Sequence, residues 1–146
     1  MIQIIPVTEN NFEQAVAVYT ASWGASHIDI CTPAFLCSRE YAGYLRKRMD
    51  GLRLIVDEIP VGVFYLLDGE FGDLYIHTQH MGKGYGTAAI RFAKEKSTAL
   101  RLTVLSTNTG AVRLYERMGF RFSGNEVLLK NGIRELEMRY MEKHNG

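Results

Sequence analysis

Runs of apolar residues at two different spacings divide the chain into short elements. Alternation of apolar and polar positions predicts strands over residues 2–5, 52–56, 61–67, 74–77, 102–105, 120–129 (with an interruption) and 133–140. Three- and four-residue spacing predicts helices from 9 to about 24, from 33 to about 50, from the loop ending at 87 to about 98, and from 111 to 118. The predicted order is β-α-α-β-β-β-α-β-α-β-β.

Capping and turn residues indicate where several of these elements begin and end. Thr8 is a favourable N-cap for the first helix, and Thr32 followed by Pro33 is typical of a second helix start. Asn131 followed by Gly132 predicts a tight hairpin between the last two strands. An antiparallel meander, two β-α pairs and a closing hairpin predict a single α/β (α+β) domain over residues 1–146. Its mixed, mostly antiparallel central sheet has about seven strands and is flanked by about four helices, and residues 141–146 are expected to fray.

Composition narrows the classes of function. The 146 residues carry a net charge of +1, without the stripe of Lys and Arg that would neutralise many phosphates, so no nucleic-acid partner is expected. No apolar run reaches the length of a membrane span and no basic signal region begins the chain, which predicts a cytoplasmic protein without a membrane partner. His27, Cys31 and Cys37 lack the fourth ligand and tight cysteine spacing of structural zinc sites, so no metal is predicted.

Three glycines at alternate positions follow the fourth predicted strand and open a helix. Gly82, Gly84 and Gly86 lie within the stretch 79–87, QHMGKGYGT. Glycine is less favourable than alanine by roughly 1 kcal/mol at a helical position, so the glycines indicate a need for backbone freedom or close approach. Both needs arise where backbone amides surround an anion at the positive end of a helix dipole. The loop therefore predicts a phosphate-binding site.

Two common phosphate-binding loops do not fit. A dinucleotide-binding loop has the spacing G-x-G-x-x-G and an acidic residue after the next strand, whereas this loop is G-x-G-x-G and residues 106–108 contain no carboxylate. A P-loop requires Ser or Thr after its lysine, and Lys83 is followed by Gly84.

The loop resembles the acyl-CoA loop of the GNAT superfamily of N-acetyltransferases, which reads [QR]-x-x-G-x-[GA]. The stretch 79–84 fits at every specified position, although Met81 stands where the family often has Arg. A second block, residues 108–120, matches the superfamily pattern N-x-x-A-x-x-L-Y-E-[KR]-x-G-F. Together with the strand order, the resemblance covers about the C-terminal two-thirds of the chain.

The resemblance implies direct transfer of an acetyl group from acetyl-CoA to an amine. Tyr115 matches the family's proton donor to the coenzyme sulfur, and Asn108 matches the residue that binds the pantetheine arm or its neighbouring backbone. A backbone amide near Ile76 or His77 would stabilise the oxyanion. The expected coenzyme contacts are Ile76, His77, Gln79, Met81, Gly82, Lys83, Gly84, Tyr85, Gly86, Thr87, Asn108 and Tyr115.

The residue that takes the proton of the amine is left open by the sequence. Glu70 is the first candidate and His77 the second, while many such transferases need no dedicated strong base. In a regular strand Glu70 and Asp73 would point to opposite faces, and a bulge would reverse that relation.

The acceptor is predicted only as an amine on a small molecule or a peptide, and a homodimer is left as an option. Trp23, His27 and Asp29 are candidate acceptor contacts, together with Tyr41 and Tyr44, because aromatic rings and a carboxylate bind amines. The alternatives are a non-catalytic acyl-CoA-binding regulatory module and a nucleotide-binding protein.

Overall fold

The computed structural model describes residues 1–26, 38–129 and 132–142. These residues form a seven-stranded sheet in the order β1-β2-β3-β4-β5-β7-β6, in which β4 and β5 are parallel and the other neighbours antiparallel. The predicted fold class and element order are confirmed. The elements are β1 (Gln3–Pro6), α1 (Phe12–Ser26), α2 (Ser38–Lys47), β2 (Leu52–Asp57), β3 (Ile59–Leu67), β4 (Glu70–Ile76), α3 (Tyr85–Lys96), β5 (Ala99–Leu105), α4 (Thr109–Arg117), β6 (Arg121–Leu128) and β7 (Arg134–Met141), with short 3-10 helices at Met49–Gly51 and Thr78–His80.

Two clusters of buried residues lie on opposite faces of the sheet. The larger joins α3 and α4 to the sheet and includes Phe64, Ile90 and Phe120. The smaller joins α1 and α2 to β2, β3 and β4, and includes Phe12 and Leu45. Burial of such side chains contributes roughly 1.5–3 kcal/mol each, so both helical layers are held by the hydrophobic effect.

The start of α1 differs from the predicted one. The Oδ1 atom of Asn11 accepts a hydrogen bond from the amide of Thr8 at 2.8 Å, and the carbonyl of Asn11 accepts from Ala15 N. Thr8 to Asn11 therefore form a turn, and the helix begins at Phe12 after Asn11 rather than after Thr8. The predicted N-cap at Thr8 is therefore three residues too early, because Thr8 Oγ1 accepts from Asn10 N at 3.3 Å inside this turn, before the helix begins. The predicted start of the second helix at Thr32 and Pro33 lies outside the described residues.

The connection from β2 to β3 is shorter than predicted. Glu58 has φ = 67°, a left-handed conformation that reverses the chain within one residue. Strand β3 can therefore begin at Ile59, and Pro60 pairs with Val56 instead of lying in a turn.

Strand β4 contains one extra residue relative to β3. Tyr65 pairs with Gly72 and Val63 with Tyr75, so two steps along β3 correspond to three along β4. Asp73 lies in this bulge with φ = 48°. On the other side β4 pairs with β5 only at Glu70 and Arg101. The two parallel strands then separate and leave an opening through the sheet.

Gly51 is expected to be essential where the 3-10 helix at Met49–Gly51 packs against β3. A Cβ atom there would lie 2.5 Å from Cε2 of the Tyr65 ring, so Gly51→Ala should lower the free energy of unfolding by about 1–3 kcal/mol. Gly43→Ala, in α2 with no protein atom within 4 Å of its Cβ, should raise it by about 0.5–1 kcal/mol. Urea titration of both variants measures the difference, and equal midpoints for the two would contradict the close contact.

Candidate active site

A cavity of about 780 Å³ occupies the opening between β4 and β5. Its walls come from α1, α2, β4, β5, α4 and β7, so it passes from one helical layer to the other. Its polar and aromatic lining residues are Tyr19, Tyr44, Arg48, Glu70, Phe71, Asp73, Tyr75, Arg101, Thr103, Asn108, Tyr115, Glu135 and Glu137. A cavity of this volume accommodates a small ligand or the reacting ends of two larger ones.

Two carboxylates of β4 meet at one guanidinium. Arg48 Nε donates to Asp73 Oδ2 at 3.0 Å, and Arg48 Nη2 lies 3.6 Å from Glu70 Oε2. The bulge at Asp73 has therefore brought both carboxylates to the same side of the strand. Tyr44 Oη also donates to Asp73, at 3.1 Å from Oδ2.

The side chain of Asp73 is more buried than that of Glu70. Burial raises the pKa of Asp73, and Arg48 and the hydrogen bond from Tyr44 oppose that rise. Its side chain is only 12% exposed, against 42% for Glu70. Arg48 is itself fixed because its guanidinium stacks 3.8 Å above the centre of the Tyr65 ring.

Tyr115 lies in α4 and faces the opening from the opposite layer. Its ring packs edge-on against Phe71 and Phe120, with centroids 6.3 and 5.7 Å apart. Burial, with a further contribution from the charge of Asp73, raises the pKa of the Tyr115 phenol above its usual value. The phenol therefore keeps its proton at neutral pH, so it can act as a proton donor and not as a base.

Asn108 combines a capping role with a place in the cavity wall. Its Oδ1 accepts a hydrogen bond from Ala111 N at 3.3 Å and caps α4. Because Asn108 also lines the cavity, the capping interaction fixes a polar amide beside Tyr115.

The Gly-rich loop forms an open helix N-terminus. Gly82 and Gly84 have φ values of 80° and 84°, and Gly84 is the N-cap of α3. The first helical hydrogen bond runs from Ala88 N to Gly84 O, so the preceding amides of α3 have no intrahelical acceptor. A Cβ atom at Gly82 or Gly84 would meet no protein atom within 4 Å, so the space beside the loop is free for an anion.

Two further loop residues have structural reasons for their identity. A Cβ atom on Gly86 would lie 3.1 Å from Cδ2 of Leu114, so this glycine allows α3 to approach α4. The Tyr85 ring is buried and its hydroxyl donates to Asp57 Oδ2 at 2.7 Å. Of the predicted coenzyme contacts, Tyr85 and Gly86 can therefore offer only their backbone amides.

The two candidate oxyanion donors at the end of β4 differ in their hydrogen bonding. The His77 amide donates to Val61 O at 2.8 Å and is therefore engaged with β3. Adjacent amides of a strand point in opposite directions, and the Ile76 amide therefore points towards β5. Ile76 is not paired with any residue of β5. The structure thus favours Ile76 over His77 as a donor.

His77 is not placed as a base. Its Nδ1 accepts a hydrogen bond from Gln79 N at 3.2 Å, and the residue does not line the cavity that contains Tyr115. His77 instead caps the short 3-10 helix that leads into the Gly-rich loop. This hydrogen bond gives the imidazole a structural contact, and a catalytic role for His77 stays a prediction made from the sequence.

The predicted acceptor contacts are only partly within the described structure. His27 and Asp29 lie outside the described residues, as does the side chain of Trp23. Sequence reasoning missed several residues that line the cavity, namely Tyr19, Arg48, Tyr75, Arg101, Glu135 and Glu137. The four-residue spacing of Tyr44 and Arg48 was the available local signal for the α2 wall, because residues four apart in a helix share a face.

The described ranges contain neither a metal-binding group of side chains nor a membrane-spanning helix. Within residues 1–26, 38–129 and 132–142, no group of three or more His, Cys, Asp or Glu side chains is arranged to hold a metal ion. Over the same ranges, no helix has the length and apolar character that crossing a membrane requires.

Comparison with known proteins identifies the family. The acetyltransferase (GNAT) domain family matches residues 34–142. The peptidyl-lysine N-acetyltransferase YjaB of Salmonella typhimurium is 30% identical over 127 residues, which cover 85% of this chain and 86% of that protein.

Solved structures show the same fold. Apo YjaB from Escherichia coli superposes with a TM-score of 0.78 at 23% identity, covering 98% of this chain and 99% of that one. The PaiA N-acetyltransferase of Thermoplasma acidophilum, solved with coenzyme A, gives 0.71 at 17% identity, covering 97% and 99%. The predicted acyl-CoA-dependent N-acetyltransferase class is confirmed by the family match. This chain belongs to the GNAT family of acetyltransferases.

Proposed function

We propose that this protein transfers the acetyl group of acetyl-CoA to a primary amine of a small molecule or a peptide. One observation carries the proposal. A buried, protonated Tyr115 lines the opening between β4 and β5, and a glycine-lined helix N-terminus follows β4, where Gly86 lies close to Leu114, the residue before Tyr115. The relative YjaB is named for acetylating peptidyl-lysine, which supports an amine acceptor for this chain also.

The Gly-rich loop binds the coenzyme in this proposal. The amides of residues 82–87 donate to the pyrophosphate, helped by the α3 dipole, with the Thr87 hydroxyl as an additional donor. Gln79, Met81 and Lys83 flank the same site on exposed positions. Asn108 bonds the pantetheine arm where it enters the cavity.

Acetyl-CoA supplies an activated thioester when it is bound. The amide of Ile76 stabilises negative charge on the thioester oxygen as the amine nitrogen forms a bond with the carbonyl carbon. Tyr115 donates its proton to the coenzyme sulfur when the carbon–sulfur bond breaks, and the proton that the attacking nitrogen loses as the amide forms restores the phenol through solvent. The thiol of coenzyme A and an N-acetyl amide are the products.

The carboxylates of β4 receive the amine. Asp73, held by Arg48 and Tyr44, attracts the ammonium form and orients it towards the opening. Glu70 is more exposed and takes the proton from the ammonium, directly or through water, so that a lone pair becomes available. Cytoplasmic location and a homodimer stay predictions made from the sequence.

Binding and turnover can be tested separately. Millimolar acetyl-CoA is expected to raise the melting temperature by several degrees, whereas NAD and ATP should not, because a ligand that binds only the native state stabilises it. Release of coenzyme A thiol is expected only when an amine is added, with the acetylated amine formed in equal amount. A panel of amines, amino acids, aminoglycosides and lysine peptides covers the acceptor classes.

The possible results distinguish the alternatives. Stabilisation by acetyl-CoA without amine-dependent thiol release would indicate a non-catalytic coenzyme-binding module. Stabilisation by NAD or ATP alone would indicate a nucleotide-binding protein and contradict the loop assignment.

A further inference from the structure

The acceptor side of the cavity lies on the sheet face that α1 and α2 contact. Among the described residues, no helix covers the part of this face that β5 and β7 form. Helices α1 and α2 pack on β2, β3 and β4. On β5, Leu102 and Val104 are buried towards the α3 and α4 layer, whereas Arg101 and Thr103 are exposed on the opposite face. The cavity therefore continues from β4 onto a floor formed by β5 and β7, which no described helix covers.

Two glutamates of β7 lie on this floor. Thr103 pairs with Glu137 and Leu105 with Glu135, so each glutamate shares a face with its partner on β5. Both glutamates line the cavity. Because β7 is two strands away from β4 and β4 separates from β5, they lie at least about 10 Å from the β4 carboxylates across the sheet.

The carboxylates around the cavity differ in their partners. Asp73 and Glu70 share Arg48, and Glu137 accepts hydrogen bonds from Arg139 at 2.7 Å and Asn125 at 3.2 Å. The carboxylate of Glu135, in contrast, has no hydrogen-bond or ion-pair partner within the described residues.

The charge of the lining is unbalanced. The cavity includes four carboxylates, from Glu70, Asp73, Glu135 and Glu137, and two guanidinium groups, from Arg48 and Arg101. Arg101 is exposed and donates to Asp68 O at 3.3 Å. A wall with this charge attracts cations and concentrates them at the opening.

We propose that Glu135 selects acceptors that carry a second positive charge. The reacting amine lies at Asp73 on β4, and the second cation of the acceptor pairs with Glu135 on β7. This inference rests on the function proposed above. The recognised chemistry is two cations at least about 10 Å apart, which a free polyamine or a lysine close to another basic residue in a peptide provides.

The test compares two pairs of acceptors that differ in the second charge. The diamine 1,8-diaminooctane is compared with octylamine, and the peptide acetyl-Lys-Gly-Arg-amide with acetyl-Lys-Gly-Gln-amide. For each pair, the ratio of kcat/KM between the dibasic and the monobasic acceptor is measured for the wild-type protein, Glu135→Gln and Glu142→Gln. The last variant makes the same charge change beyond the far end of β7.

The wild-type protein is expected to prefer the dibasic member of at least one pair by about threefold to tenfold, and the pair that shows it identifies the source of the second cation. Glu135→Gln should bring that ratio close to one, and Glu142→Gln should leave it unchanged. Added sodium chloride should reduce the wild-type ratio, because salt screens exposed charges.

Two results would overturn the inference while the proposed function stands. One is acetylation of both members of each pair with a wild-type ratio near one. The other is a ratio that Glu135→Gln and Glu142→Gln change equally. If the wild-type protein acetylates none of the four acceptors and releases no thiol with the wider amine panel, the proposed function fails, and this inference fails with it.

Discussion

Replacement of Tyr115 by Phe is expected to lower kcat about 100- to 1,000-fold and to change KM for acetyl-CoA by less than about threefold. The substitution removes one hydroxyl, and Phe keeps the ring contacts with Phe71 and Phe120. The loss therefore concerns the proton that the coenzyme thiolate receives, which matters only when the carbon–sulfur bond breaks.

The pH dependence of kcat is a second test of Tyr115. A free tyrosine loses its proton near pH 10, but burial raises the pKa of Tyr115 above that value. The proton donor therefore stays protonated as pH rises, while the acceptor amine becomes deprotonated. The kcat profile of the wild-type protein should rise with pH and show no descending limb up to pH 10.

Tyr140→Phe is the matched control for Tyr115→Phe. Tyr140 also packs against Phe120, but it lies beside Lys94 and does not line the cavity. Its kcat should stay within about twofold of wild type, as expected for surface substitutions away from the chemistry. Equal losses in the two variants, or a Tyr115→Phe effect confined to KM, would make Tyr115 a packing residue.

Replacement of Gly84 by Val is expected to weaken acetyl-CoA binding at least about 100-fold, a loss of about 2.7 kcal/mol. Gly84 has φ = 84° and opens α3, and the space beside its Cα is free of protein atoms. A branched side chain there occupies the position required by the pyrophosphate and strains the left-handed backbone that aims the amides. Calorimetric titration of acetyl-CoA measures the affinity.

Gly124→Val separates the loss of the anion site from backbone strain. Gly124 has φ = 96°, is exposed on β6 and has no protein atom within 4 Å of its Cβ position. The same substitution at a left-handed glycine should lower the melting temperature by a similar amount in both variants, and only Gly84→Val should lose the coenzyme. Retained affinity in a folded Gly84→Val protein would contradict the assignment of the loop.

The Gly-rich loop could be predicted from the sequence because its determinants are local. A strand, a run of glycines and a helix start follow one another within residues 74–87, and the backbone amides of a helix N-terminus need no distant partner. The face of α4 that bears Tyr115 was likewise set by three- and four-residue spacing. Even so, the distinct role of Gly86 was hidden, because Leu114 lies in a different helix.

The acceptor side was less accessible because it depends on register. Whether Glu70 and Asp73 share a face depends on one extra residue in β4, which shows only when β4 is paired with β3. Arg48 follows α2 and contacts both carboxylates from that helical layer. Its guanidinium stacks on the Tyr65 ring of β3. Glu135 enters the cavity through the pairing of β7 with β5. None of these relations leaves a periodic signal in the chain.

The sequence by itself therefore determined the order of elements, the mixed sheet and the helix N-terminus with its glycines, since period and turn chemistry act between near neighbours. The tertiary structure decided which amide at the end of β4 is bonded to β3, which carboxylates meet at Arg48 and which glutamates line the cavity. Those outcomes follow from strand pairing and from the divergence of β4 and β5, and a one-residue change in register moves a side chain to the opposite face of the sheet.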